Sequence, residues 1–411
     1  MTTLTASTNA TSPWAISADT TGTIVLQSNN TTALTLDTSQ NATFNGTQMV
    51  VSSTGKGSTA DGSIASINSF GFKNRLINGA LDFWQRGTTF SNLGTYGPDR
   101  WTARYNDCVG NYTRIALSDL VGFTYSNQII KSGASNGSAF LQQAIETLNC
   151  RDLLGKKVTF SVWAKKTNAT TQATHNVSIG VGLFTSVDTG TWAQTPEIAW
   201  VYARWTSAGI TSGDPGIQQG ASYSSVGTPT AGTVLGTNVF TTSWERYFIT
   251  LTIPTTTRTI TCQVGSEAMV QNGGIEFTGM QLELGGQPTQ FEYRPNGMEF
   301  TLCQRYYQKS YNKTDAPGTT TTTGELRFQT AGTGGESFPT VVLPVPMRIT
   351  PTLVFYSPNN GASGAFYNYS AGTNPTMTGT NTNGERGWSG GSGASATSIC
   401  GYHYTASAEL V

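Results

Sequence analysis

The 411 residues, 43.6 kDa in all, are charged at only 11% of positions, against about 25% in an ordinary soluble domain, and include 47 glycines and 15 prolines. That composition disfavours a helical protein. Lys and Arg total 23, as do Asp and Glu, so no surplus of positive charge exists to drive nucleic-acid binding by counterion release; no apolar run approaches the roughly 20 residues of a membrane helix, so no membrane insertion is expected.

In chain order, residues 1–70 are polar and Thr-rich, without the basic and apolar stretches of a secretory leader. Short alternating patches occur at Ile24 and Leu26 and at Leu34 and Leu36, with turn residues at Asn29-Asn30 and Asn45-Gly46. Strands this thin bury too little to stand alone. The expectation is a fibre-like or docked β segment, followed by a Ser/Gly/Thr/Ala linker over Ser52–Ser69. Aromatic and aliphatic residues then enter together at GFKNRLINGALDFWQRGTTF, which opens a domain predicted over 71–296.

Period-two alternation marks the strands of that domain. Val158, Phe160 and Val162 alternate with Thr159, Ser161 and Trp163; Ile198, Trp200 and Tyr202 with Ala199, Val201 and Ala203; Tyr247, Ile249, Leu251 and Ile253 with Phe248, Thr250 and Thr252. Turn residues between them predict a β-sandwich. In GGIEFTGMQLELGG the apolar phase shifts from Ile275 and Phe277 to Met280, Leu282 and Leu284, which places a β-bulge at Gly279. The run GMEFTLCQRYYQKSYN is the one helix candidate, with Leu302 and Tyr306, and Cys303 and Tyr307, four apart. A linking helix is expected over 297–312, packed between domains or subunits. Residues 313–411, with strands around Leu353–Tyr356 and Tyr402–Tyr404, read as a C-terminal β-sandwich domain, and the stretch 359–393 as long surface loops.

Little in the sequence points to catalysis. Cys108, Cys150, Cys262, Cys303 and Cys400 lack metal or redox spacing and read as buried free thiols. His175 and His403 sit in no triad or metal pattern, so no cofactor and no metal site are expected. Glu276 and Glu283 read as a strand edge or structural ion pair, and Asp99-Arg100 as a salt bridge or turn cap at the domain entry. The Asn-x-Ser/Thr triplets at Asn9, Asn30, Asn41, Asn45, Asn111, Asn168 and Asn312 follow from an Asn- and Thr-rich composition. Saccharides present flat CH-rich faces that stack on rings, so Trp163, Trp192, Trp200, Tyr202 and Trp205 are the candidate carbohydrate-binding residues.

Three blocks, FKNRLINGALDFWQRG with YGPDRW, GKKVTFSVWAKKT, and GMQLELGGQPTQFEYRPNGMEFTLCQRYYQKSYN, resemble bacteriophage virion proteins of the tail-fibre or receptor-binding type. The resemblance implies an all-β chain: an N-terminal virion-attachment segment, a jelly roll like a carbohydrate-binding module, a short linking helix and a C-terminal β domain. It further implies a homotrimer, made in the host bacterial cytoplasm and built into the virion, whose first segment meets other virion proteins. Its role would be non-enzymatic adsorption to host-surface glycan. A capsid-decorating or head-fibre protein and a polysaccharide depolymerase are the alternatives.

Overall fold

A computed structural model describes residues 24–28, 31–36 and 42–44, and then 72–410 apart from 92–93, 107–109, 132–136, 168–175, 189–197, 211–215, 219–229, 235–237, 270, 331–339, 378–381 and 390–396. The chain divides into two compact units, Met1–Gly71 and Phe72–Val411. In the first, Ile24–Ser28, Thr31–Leu36 and Ala42–Phe44 form a three-stranded antiparallel sheet, Leu26 opposite Leu34 and Leu34 opposite Phe44. The expected strands are therefore present; the Asn29-Asn30 and Asn45-Gly46 turns and the linker over 52–69 lie outside the described residues.

The second unit opens with a sandwich of two seven-stranded antiparallel sheets. The first sheet runs, edge to edge, Gly209–Ile210, Ala199–Thr206, Val177–Phe184, Thr259–Met269, Gly137–Ile145 and Thr102–Asn106, with Gly216–Gln218 also paired to Ala199–Thr206. The second runs Thr230–Thr233, Glu245–Thr252, Lys157–Lys166, Gly274–Leu284, Tyr125–Lys131, Gly110–Ala116 and Thr89–Phe90. Alternation decides what faces inward. Val158, Phe160, Val162 and Ala164 meet Val177, Ile179, Val181 and Leu183 in one core, all fully buried, each of the larger ones contributing about 1.5–3 kcal/mol by leaving water. The bulge stands where the sequence puts it: pairing with Lys157–Lys166 slips between Thr278 and Gln281, and Gly279 adopts a φ of +64°. A Cβ there would lie 2.7 Å from the Phe123 ring and 2.9 Å from the Trp163 ring, so glycine is required on both counts.

The charge-rich entry motif ties this sandwich to the rest of the unit. Asn78 donates through its amide to the Phe83 and Asp99 carbonyls at 2.9 and 3.1 Å. The Asp99 carboxylate accepts from the Gln85 amide at 2.6 Å and lies 3.7 Å from Arg86. Arg86 and Arg100 both pair with Glu409, which is buried; their guanidiniums lie 3.6 Å from the Tyr307 ring centre and 3.5 Å from that of Tyr306. Asp99 and Arg100 thus both stand in salt bridges at the domain entry, Asp99 with Arg86 and Arg100 with Glu409, and Arg100 fastens a segment more than 300 residues away in sequence.

The helix is shorter than its sequence suggests. It spans Asn296–Gln304, and Tyr307–Lys309 is a strand paired with Ile399–Ser407. Two neighbouring tyrosines favour a strand where an open edge is offered, and a local reading cannot see that edge. The segment does pack between the sandwich and the C-terminal region, with Phe300 5.2 Å from Phe83 and Cys303 fully buried. In the C-terminal region, Ile399–Ser407 is the hub. Tyr307–Lys309, Leu326–Gln329, Thr352–Tyr356 and Tyr367–Asn368 all pair with it, and a second sheet holds Val341–Val342, Gly387–Ser389 and Thr382–Gly384. The stretch 359–393 is more than surface loop: Phe366, Met377 and Trp388 are buried in this second core with Tyr402 and Tyr404. Isolated large apolar residues among polar ones are what bring it inward.

Candidate binding face

Parity along Ala199–Thr206 sends Ala199, Val201, Ala203 and Trp205 into the core. Trp200 and Tyr202 therefore point to the outer face of their sheet. Across from them stand glycines, Gly182 opposite Trp200 and Gly180 opposite Tyr202, with Gly265 opposite Phe140 further along. The rings lie over these positions: a Cβ on Gly182 would sit 3.0 Å from the Trp200 indole and one on Gly265 2.7 Å from the Phe140 ring. Gly180 is also opposite Gln263, and Gln263 opposite Gln142, which is opposite Thr102. A glycine floor flanked by rings and amides is an arrangement suited to a ligand with both CH-rich and hydroxyl-bearing faces.

This face curves strongly. Arg104, on Thr102–Asn106, is separated from the strand of Trp200 by three intervening strands, yet its guanidinium lies 5.7 Å from the Trp200 ring centre and donates to Gln263 Oε1 at 3.4 Å. Arg104 and Trp200 thus converge over the amides. Gln142 is 1% exposed, and neither its amide nitrogen nor its amide oxygen has a partner among the described residues. Nothing in the sequence marks Arg104, Phe140, Gln142 or Gln263, because sheet curvature alone brings them together.

The other expected ring positions separate. Trp205 is not a surface residue: it is wholly buried, 5.1 Å from Tyr247, which corrects the expectation that it contacts ligand. Its odd position after Trp200 and Tyr202 puts it in the core phase. Trp200 retains 7% of its surface and Tyr202 is half-buried. Trp163 points to the outer face of the opposite sheet, on the far side of the core, half-buried against Gly279. Trp192 lies outside the described residues. The five rings do not form one site; Trp200 and Tyr202 share a face.

The carboxylates and histidine have structural partners. Glu283 is fully buried and accepts from the Thr289 backbone N–H and the Gln281 amide, both at 2.8 Å, with Lys73 at 3.9 Å. Glu276 accepts from Ser126 Oγ at 2.6 Å and lies 3.7 Å from Lys165. The His403 ring stacks on Tyr311 at 3.9 Å, with Ser310 Oγ 2.9 Å from Nδ1 and the Thr321 carbonyl 2.8 Å from Nε2. Burial lowers its pKa. Ser310 Oγ also accepts the Tyr404 N–H at 3.1 Å, so the pair is a hydrogen-bonded strut. His175 and Cys108 are outside the described residues; the thiols of Cys150, Cys262, Cys303 and Cys400 are buried, and burial pushes Cys150 up to about 12.

One carboxyl departs from this pattern. Burial first, and then the nearby Glu299, push Asp82 up to about 6. It lines a recess of about 70 Å³ with Asn78, Glu292, Arg294 and Glu299, a volume of about two waters. Among the described residues, no cluster of His, Cys, Asp and Glu suits a metal ion, and no helix is long and apolar enough to cross a membrane.

No protein-family model and no curated protein matches the chain. Among solved structures it is similar to the enzymatically active domain of tailspike protein 4 from bacteriophage CBA120, at 14% identity and a TM-score of 0.27, over 52% of this chain and 22% of that one. It is also similar to the CBM22-1–GH10 modules of endo-1,4-β-D-xylanase 10B from Clostridium thermocellum, at 12% identity and a TM-score of 0.25, over 52% and 30% of the two chains. A third likeness is to a xylan-binding domain from CBM 22, at 12% identity and a TM-score of 0.26, over 49% of this chain and 98% of that one. Likenesses this distant carry no argument about ligand or activity.

Proposed function

We propose that this chain is a non-enzymatic bacteriophage virion protein of the tail-fibre type, which adsorbs to host-surface glycan through the outer face bearing Trp200 and Tyr202. The observation that carries the reading is the glycine-floored face on which two rings and two glutamines meet, one glutamine buried without a partner. In a folded protein such a group is costly unless ordered water or a ligand meets it. The virion setting rests on the sequence resemblance. In that setting the chain is a homotrimer, and its thin N-terminal strands pair with copies of themselves or with other virion proteins. Three copies per fibre raise avidity by orders of magnitude, so single-site affinity need not be high.

Purified chain added to host cells before phage is the direct test. Competitive loss of adsorption, weakened by Trp200→Phe together with Tyr202→Ala and without release of reducing ends, is the expected result. Reducing ends released by the wild type and lost in Asp82→Asn would instead favour a depolymerase, because a glycosidase needs one carboxyl that keeps its proton near neutral pH.

A further inference from the structure

We propose that the glycan taken by this face is acidic, its carboxylate held by Arg104 with Gln142 and Gln263 completing the hydrogen bonds. The inference rests on reading the same face as a glycan surface, and three observations deepen it. First, Arg104 has no carboxylate partner among the described residues. In a chain where Arg86, Arg100, Arg294, Arg305 and Arg348 all pair with acids, its side chain has, among those residues, the 3.4 Å bond to Gln263 and the Trp200 ring. Burial accordingly pulls its guanidinium below the ordinary arginine range, with no anion to offset the cost.

Second, the full charge that the described side chains bring to these amides is the cation of Arg104, and an anionic ligand would be favoured beside it over a neutral one. Third, the Gln142 amide offers both a donor and an acceptor and uses neither. A carboxylate beside a sugar hydroxyl supplies the complementary pair: the acid oxygen accepts from the amide N–H, and the hydroxyl donates to the amide oxygen. Arg104 presents a planar fork that matches a carboxylate in two parallel bonds.

The test is an array of uronic- and sialic-acid oligosaccharides printed beside their carboxyl-reduced forms, probed with the full chain. The acid member of at least one pair should be held about tenfold more tightly, as expected for hydrogen bonds to a charged group, and the difference should shrink in 0.5 M NaCl, at roughly a third of the Debye length of dilute buffer. Arg104→Gln should erase the preference of acid over reduced member, and Arg104→Lys should restore part of it. Equal retention of acid and reduced members, with both weakened by Trp200→Phe, would overturn the acidic assignment and leave the glycan face standing. No retention of any member, together with no competition for adsorption, would overturn both. Should Arg104→Gln melt far below the wild type, Arg104→Lys and the salt series decide the same question.

Discussion

The two outer faces of the sandwich are built on the same strand alternation and end in opposite conditions. On the sheet of Lys157–Lys166, residues 72–76 and 286–294 lie over the surface and take up several of its polar groups: Arg246 donates to Ser161 Oγ at 2.8 Å, Gln281 Oε1 accepts the Glu292 N–H at 2.8 Å, and Glu292 in turn accepts the Lys73 and Asn74 N–H groups at 2.9 and 2.8 Å. On the sheet of Val177–Phe184, glycines replace side chains, and the central amide of Gln142 is left without a partner. Burial is similar on both. Cover is what differs: the chain itself supplies partners to the amide of Gln281, while that of Gln142 is left to water or to a ligand.

That contrast can be broken in four ways, beginning with the largest. Glu283→Ala should cost about 3–5 kcal/mol in urea unfolding, because it strands Thr289, Gln281 and a nearby Lys73 in a buried site; a loss under about 1 kcal/mol would mean the covered face is not held by this network. Gly279→Ala should cost about 1–3 kcal/mol, since alanine at positive φ is strained and its methyl meets Phe123 and Trp163. The Asp82→Asn variant sharpens the edge of the covered face through pH. The folded-state value of Asp82, raised from 3.8 to about 6, means its contribution is present below the unfolded value and lost as pH rises through about 6. Asparagine should therefore stabilise by about 1–2 kcal/mol at pH 7, with no gain below pH 4, read from melts across that range.

The smallest effect is the most telling. Gln142→Leu removes two unpartnered buried atoms and should leave stability unchanged or raise it by up to about 1 kcal/mol, while glycan retention falls. Gln281→Leu on the covered face should lose stability instead. If both glutamines behave alike in chemical denaturation, the two faces are not different in kind.

Much of this architecture was legible in the residues. The alternation in Val158–Val162 and Tyr247–Ile253 placed strands and their core faces, and the phase shift between Phe277 and Met280 located the bulge. The same parity, carried three residues past Tyr202, would have put Trp205 inside. The end of the helix at Gln304 was not legible, because Tyr307–Lys309 is a strand only by virtue of an edge supplied by Ile399–Ser407, nearly a hundred residues later. Of the candidate face, Trp200 and Tyr202 could be read and Arg104, Gln142 and Gln263 could not. Their strands are distant in sequence, and their meeting depends on how far the sheet bends.

The clamp of Arg86 and Arg100 on Glu409 also sets a timetable. Arg86 leaves the ribosome 323 residues before its carboxylate does, which at about 5–20 residues per second is an interval of about 16–65 s. Throughout it, the two cations at the sandwich entry have no counter-charge from that quarter and cannot be buried cheaply. The nascent sandwich is therefore expected to mature only once Glu409 has left the ribosome, and chains ending short of Glu409 should be far more sensitive to protease than the full 411-residue chain.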